Sequence, residues 1–388
     1  MANYQQEVKR TNKSIILKTI REQEPISRAT LAQILHLTKA TVSSLVEELI
    51  QEQYCCQTGP GRSSGGRRPL MLQFNEQAGY TISCDIGVNY ILTVMTDLGG
   101  GILHEEMKPF DTNDFTRTVM EIRSMIDTCM KQMKESPFGL TGLAFGVPGL
   151  VSREGEILTT PNLDWTQSNI KAIFEDQFQV PVLVENEANA GAYGEKIFGA
   201  AQYKEEFLYI SAGIGIGAGA VINGSLLRGT SGFFGEVGHT TIIDNGLPCR
   251  CGSHGCWEMY ASEMALRAGA QMDKDTDMDT LLSRAAESND VEKALHDVGY
   301  YLGVGLVNLI HTFNPQKIII GSRLARVRQY LEEPMQQVVN ERTMPQLAEG
   351  CEITFSMNDQ YATVLGLTAF TIESFLDKQF ESALSTSG

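Results

Sequence analysis

The sequence predicts an α/β protein in two parts, a small helical head over residues 1–75 and a larger body of two similar lobes over residues 76–388. Three observations point there. Apolar residues at helical spacing, each run preceded by a capping residue, fill the first fifty positions. From about Gly79 onward, strand patterns alternate with helical ones. Two of those strands run into glycine-rich turns, DIGVNY and SAGIGIGAG. At 388 residues the chain is long enough for two or three domains of roughly 100–200 residues. With 42% apolar and 20% charged residues, its composition excludes a disordered chain, a collagen and a coiled-coil rod.

The head opens on Ile15, Ile16, Leu17 and Ile20, a helical stripe that the Glu24-Pro25 step ends. Ser27 is placed to cap a second helix, with Leu31, Ile34 and Leu35 as its apolar face. His36 and Leu37 form the tight connection. Thr38 caps a third helix, whose Val42, Leu45, Val46 and Leu49 face inward. Two short helices joined by a tight turn, after a first helix, make a helix-turn-helix. The glycines of TGPGRSSGGRRPLMLQFN cannot sustain a helix, and Leu70, Leu72 and Phe74 alternate as in a strand. This segment predicts the hairpin of a winged helix, or else a basic linker.

Charge separates the two parts. Residues 1–75 hold ten Lys/Arg against six Asp/Glu, a net +4, whereas the whole chain carries −16. The body is therefore at −20. A basic head on an acidic body predicts that only the head meets phosphates. No run approaches the roughly 20 apolar residues of a membrane helix. The first residues, MANYQQEVKR, lack the apolar core of a secretory signal, so a cytoplasmic protein with no membrane partner is expected.

In the body, YTISCDIGV, YILTVMTDL and GILHEEMKPF read as three strands, followed by a helix at about 115–134 and the buried strand GLAFGVPGLV. PVLVENEANAGAYGEKIFG reads as a strand running into a helix, with the cleft between lobes expected near 185–190. FLYISAGIGIGAGAVING begins a second three-stranded entry, and a long apolar helix ending at HTFNP precedes the strand KIIIG.

The two glycine turns, together with GEVGH at 235–239 and CRCGSHGCWE at 249–258, carry a family resemblance that spans nearly the whole chain. The sequence resembles the ROK family of sugar kinases and repressors. That resemblance implies an actin-like, hexokinase-like double lobe for the body. With the helical head, it points to the branch of the family that represses sugar operons, and implies a sugar inducer, D-xylose foremost.

The departures from the kinase pattern bear on chemistry. ROK kinases carry Asp-x-Gly-Gly-Thr in the first phosphate loop, where this chain has Asp85-Ile86-Gly87-Val88-Asn89. Their second loop is Gly-Thr-Gly, here Gly213-Ile214-Gly215, so a hydroxyl has become a hydrocarbon that donates nothing. The Asn-Asp pair that supplies the kinase base is Asn186-Glu187, one methylene longer, and a misplacement of about 1 Å can cost roughly 10²-fold in rate. A glycine pair near the adenine is Gly321-Ser322-Arg323. Phosphoryl transfer depends on positioning and charge stabilisation, so no catalytic residue and no enzyme activity are expected.

The sugar side is retained by the resemblance, at Asn162, Asn186, Glu187, Glu236, His239 and Glu258. Carboxylates and amides suit a ring of hydroxyls, which both donate and accept. Trp165 is placed either on the sugar's apolar face or in the core. His239, Cys249, Cys251 and Cys256, spaced H-x₉-C-x-C-x₄-C, make a four-ligand set for a structural zinc ion. His254 lies inside the same loop as a weaker alternative. Cys55, Cys56, Cys84, Cys129 and Cys351 have no such spacing and are expected to be buried.

For double-stranded DNA, the third helix offers Lys39, Ala40, Thr41, Ser43 and Ser44 to base edges, with Thr38 capping and touching phosphate. Ser27 and Arg28 are placed for backbone contacts, and Arg62, Arg67 and Arg68 of the wing for a narrow minor groove. A homodimer on a palindromic operator is the expected arrangement. The rival readings are an ATP-dependent sugar kinase that kept a DNA-binding head, and a repressor governed by a protein partner or by another sugar, glucose or an amino-sugar phosphate.

Overall fold

The computed structural model describes residues 2–60, 69–110, 113–273, 276, 278–285 and 288–380. Arg62, Arg67 and Arg68, expected in a wing, lie outside the described residues.

Three helices, Ala2–Gln23, Arg28–Ile34 and Lys39–Gln51, open the chain. Ser27 and Thr38 cap the second and third, their hydroxyls accepting from the backbone N–H of Thr30 and Thr41, each at 3.1 Å. His36, at φ 53°, turns the chain between them. Strand Leu70–Phe74 lies between the short strand Ile26–Ser27 and strand Cys55–Pro60, antiparallel to both. Ile16, Leu17, Ile20, Leu31, Val42, Leu45, Val46 and Leu49 form the core these elements share. Two expected core positions turn outward: Ile34 is 41% exposed and Ile15 43%. The second helix ends at Ile34, so its last turn passes the core and Leu35 takes the inward place.

The body holds two five-stranded sheets of matching design. In the first, strands Tyr80–Ile86, Tyr90–Asp97 and Ile102–Pro109 run antiparallel, and Leu140–Val147 and Val182–Asn186 add in parallel. In the second, Phe207–Ala212, Ile216–Ile222 and Ser225–Leu226 are antiparallel, and Lys317–Gly321 and Glu352–Phe355 are parallel. Each sheet thus opens with a three-stranded meander, as the sequence pattern predicts. A hairpin-like sheet of Leu150–Val151, Ile157–Thr160 and Trp165–Ser168 projects from the first.

Two helices lie back to back between the sheets. Glu187–Phe198 packs on the second sheet and Ala362–Phe380 on the first, and they contact each other along their length. Glycine makes that approach possible: a Cβ at Gly366 would sit 1.7 Å from the carbonyl oxygen of Ala190, and one at Gly194 2.1 Å from that of Ala362. The Ala362–Phe380 helix continues to the head, where Phe375 and Phe380 join Tyr54 and Phe138 in an aromatic cluster. Leu98 and Ile372 of the body belong to the same core as the three N-terminal helices. No described helix is long and apolar enough to cross a membrane.

Candidate functional site

All six residues expected at a sugar, Asn162, Asn186, Glu187, Glu236, His239 and Glu258, line one cavity of about 90 Å³ between the two sheets. Their positions follow from local structure. Asn186 ends a parallel strand and caps the helix that starts at Glu187. Its Oδ1 accepts from the N–H groups of Ala188 and Asn189, and its Nδ2 donates to the Gly149 carbonyl at 3.0 Å, so one amide hydrogen is left for a ligand. Glu236 and His239 sit on the GEVGH segment, pressed against strand Ile216–Ile222. A Cβ at Gly235 would lie 1.9 Å from the Ala218 oxygen, and Gly235 has φ 107°, so only glycine lets the segment approach. Glu258 opens a short helix directly after the last cysteine of the loop.

The pocket is lined by carboxyl groups. Burial pushes the Glu187 carboxyl up to about 8, with the neighbouring Asp85 charge adding to the shift. Asp85 itself is pushed up to about 6 by burial, although the Tyr90 hydroxyl, donating at 2.6 Å, and Arg323 pull it back. Burial also raises Glu236, against the effect of His239. A neutral ligand rich in hydroxyls suits such a site, since it can donate to carboxylates and accept from protonated ones.

Beside the pocket, one ligand atom from each of His239, Cys249, Cys251 and Cys256 lies within 4.8 Å of the other three. Cys251 Sγ and Cys256 Sγ are 3.6 Å apart, as are Cys249 Sγ and His239 Nδ1. Thiolates bonded to a tetrahedral zinc at roughly 2.3 Å would stand about 3.8 Å apart, so the donor set and its spacing fit a four-coordinate ion. His254 is exposed and outside the cluster. With Nδ1 facing the cysteines, His239 Nε2 faces Glu236 Oε2 at 3.6 Å, linking the cluster to the pocket. Of the remaining cysteines, Cys55, Cys84 and Cys129 are buried as expected. Cys56 is exposed and Cys351 half-buried, because Cys56 points outward from its strand and Cys351 lies just outside one.

Elsewhere in the wall of the same cavity, beside the two glycine turns, side chains from both sheets meet. The Tyr90 ring lies over the first glycine turn, 2.1 Å from where a Cβ of Gly87 would be. Arg323 stacks over that ring at 5.4 Å and pairs with the buried Glu263 at 2.8 Å. Ser322 holds φ 63° and ψ −162°, a conformation that glycine adopts readily and serine does not. Sequence reasoning missed Tyr90 and Glu263, and singled out Arg323 only as a departure from a glycine pair, not as their partner; the three are far apart along the chain. Trp165 is core: it is 3% exposed, packs edge-on to Phe115 and donates to the Asn113 carbonyl.

On the head, Thr38, Lys39, Ala40, Ser43 and Ser44 are exposed along one helix face and Thr41 is half-buried. Arg28 pairs with Glu47 at 3.5 Å. Ser27 is 6% exposed with its hydroxyl engaged in capping the second helix.

The chain is 42% identical to the xylose repressor of Bacillus subtilis strain 168 over 372 residues, 95% of this chain and 97% of that protein. Among solved structures it is similar to a ROK family transcriptional regulator, a homolog of the E. coli MLC protein. That likeness has TM-score 0.80 and 26% identity, and covers 96% of this chain and 98% of the other. It is also similar to a ROK family glucokinase from Streptomyces griseus in complex with glucose and AMPPNP, with TM-score 0.69 and 25% identity, over 75% of this chain and 99% of that one. The family model described as the ROK family matches residues 81–374, and with the two glycine turns, the GEVGH segment and the His/Cys₃ cluster in place, the chain belongs to the ROK family.

Proposed function

We propose that the chain is a sugar-responsive transcriptional repressor, without catalytic activity, that binds a palindromic operator as a homodimer in the cytoplasm and is released by D-xylose. Residues 1–75 form the winged helix-turn-helix DNA-binding domain, and residues 76–388 the sugar-sensing domain. The observation that carries this reading is the convergence of Asn162, Asn186, Glu187, Glu236, His239 and Glu258 on one cavity, together with Val88 and Ile214 at the glycine turns, which offer no hydroxyl to a phosphate. D-xylose is chosen because the relative that shares 42% of its residues is named a xylose repressor.

Zinc at His239, Cys249, Cys251 and Cys256 is structural. Its chemistry would be to fix the loop that carries Glu258 and to hold the His239 ring, so that Nε2 keeps its partner in the pocket. Lys39, Ala40, Thr41, Ser43 and Ser44 read the major groove, with Thr38, Arg28 and the helix end held by Ser27 at the backbone. Arg62, Arg67 and Arg68 are assigned to DNA contact from the sequence alone.

Sugar draws the two lobes together, and the Ala362–Phe380 helix, packed on the Glu187 helix at one end and on Tyr54 at the other, carries the movement to the head. The coupling need only be about 1–3 kcal/mol to change operator affinity roughly 5–150-fold. Sugar must bind the operator-incompetent state more tightly, since equal affinity for both states shifts nothing.

The test is operator release followed by fluorescence anisotropy, with D-xylose titrated against D-glucose and N-acetylglucosamine 6-phosphate. Release by D-xylose alone is expected. Tight operator binding that none of the three relieves would transfer the signal to another sugar or a protein partner. Absence of specific DNA binding would restore the kinase reading.

A further inference from the structure

One side chain of the pocket belongs neither to the sugar set nor to the metal set. Arg250 stands between Cys249 and Cys251, in a tight turn closed by the Gly252 N–H on the Cys249 carbonyl at 3.0 Å. Its backbone is therefore pinned on both sides. Its guanidinium is not held on its own lobe: among the described residues its hydrogen bond runs across the cleft, from Nη1 to Asn162 Oδ1 at 3.2 Å, between positions 88 residues apart. Other polar contacts across the cleft, Arg228 to Glu185 at 2.8 Å and Arg153 to the Gly229 carbonyl at 2.6 Å, border a separate cavity of about 980 Å³.

Arg250 and Asn162 also line a second cavity, of about 420 Å³, whose wall includes Met264, Ala268 and Met272. The pair thus stands in the wall shared by the inner pocket and this outer chamber. From this geometry we infer that Arg250 is the latch of the sugar pocket, a positioning residue that closes the lobes over a neutral monosaccharide by bonding Asn162. The inference rests on the sugar reading above.

Two consequences follow from the chemistry of the groups. A guanidinium only donates, so it takes the Asn162 oxygen and turns the amide nitrogen toward the pocket. The ligand then meets a donor at that place and must offer a lone pair. Opening the lobes breaks the bond, so the latch acts on the rate at which sugar leaves. An arginine set between two metal-ligating cysteines also ties the latch's position to the integrity of that loop.

The experiment is titration calorimetry and stopped-flow dissociation with D-xylose, D-glucose and N-acetylglucosamine 6-phosphate. It uses the full chain, Arg250→Met, Asn162→Ala and the double variant, with bound zinc counted in each. Arg250→Met keeps the aliphatic stem and removes the donor. Sugar affinity should fall about tenfold through faster dissociation, with zinc content unchanged, as expected for a lost hydrogen bond to a charged group. Arg250→Lys should restore part of the loss. The double variant should be no weaker than Asn162→Ala alone, because both changes break one bond. If the two losses add, or if Arg250→Met binds sugar as the unaltered chain does, the latch is overturned while the sugar reading stands. If the unaltered chain binds none of the three sugars, the sugar reading fails and the latch with it.

Discussion

On one side of the interlobe cavity stand Glu187, Glu236, Glu258 and His239; on another, beside the two glycine turns, stand Tyr90 and Arg323, the latter paired with the buried Glu263. Both are built against glycine turns that join antiparallel strands, between Ile86 and Tyr90 and between Ala212 and Ile216. The difference is in what the turns face. At the second turn, glycine lets a carboxylate approach: Glu258 Oε2 lies 2.8 Å from where a Cβ of Gly215 would be. At the first turn, Gly87 admits an aromatic ring, and Val88 and Ile214 present hydrocarbon to the cavity. One cavity wall thus carries carboxyl groups on one side and an aromatic–guanidinium pair on the other.

The largest effect is expected from breaking the carboxyl side. Glu187→Ala or Glu258→Ala should lower sugar affinity by roughly 10²-fold in calorimetry, since a polar site that loses a hydrogen-bonding carboxyl for a hydroxyl loses most of its grip. Operator affinity without sugar should be unchanged. Removing the metal with a chelator should weaken sugar by about tenfold or more, because the loop carrying Glu258 and the His239 ring lose their anchor. Metal analysis alongside the titration checks that prediction.

The pocket carboxyls should also show in the pH dependence of stability. A carboxyl whose folded pKa lies above its unfolded value stabilises the fold below the unfolded pKa, and that contribution is lost as pH rises through the folded value. For Glu187, at about 8 against a model-peptide value near 4.3, melting temperature should decline across that window. Glu187→Gln should flatten the decline, leaving the smaller contribution of Asp85. A variant with an unaltered slope would place the titrating group elsewhere. The smallest effect concerns the side that holds Arg323. Ser322→Gly relieves a left-handed backbone and should stabilise the chain by about 1 kcal/mol in denaturant unfolding.

Much of this was legible in residue order. Ser27 and Thr38 announce their helices through local hydrogen bonds that need no tertiary context. The His/Cys₃ cluster is compact in sequence, so its spacing alone fixes the donor set. The six pocket residues could be found because family motifs mark them, although they span positions 162 to 258. What stayed hidden depends on distant partners. Tyr90, Glu263 and Arg323 come together only once both sheets are built, and no period or motif ties them. The same holds for Arg250, whose partner lies 88 residues away. The helix Ala362–Phe380 is not among the elements read from the sequence, and its place between the sheets and its reach to Tyr54 follow from Gly366 against Ala190, a contact across the chain. For Trp165 the sequence leaves two places open, the sugar's apolar face and the core; Phe115 and Asn113 hold it in the core.

The central claim, a sugar pocket kept and a nucleotide site lost, is met most directly by one sequential titration. The metal-loaded chain is titrated with D-xylose to saturation, then with MgATP, and the mixture is examined by mass spectrometry. The account predicts heat from the sugar, none from the nucleotide, and no sugar phosphate. Binding of MgATP with formation of a sugar phosphate would contradict it.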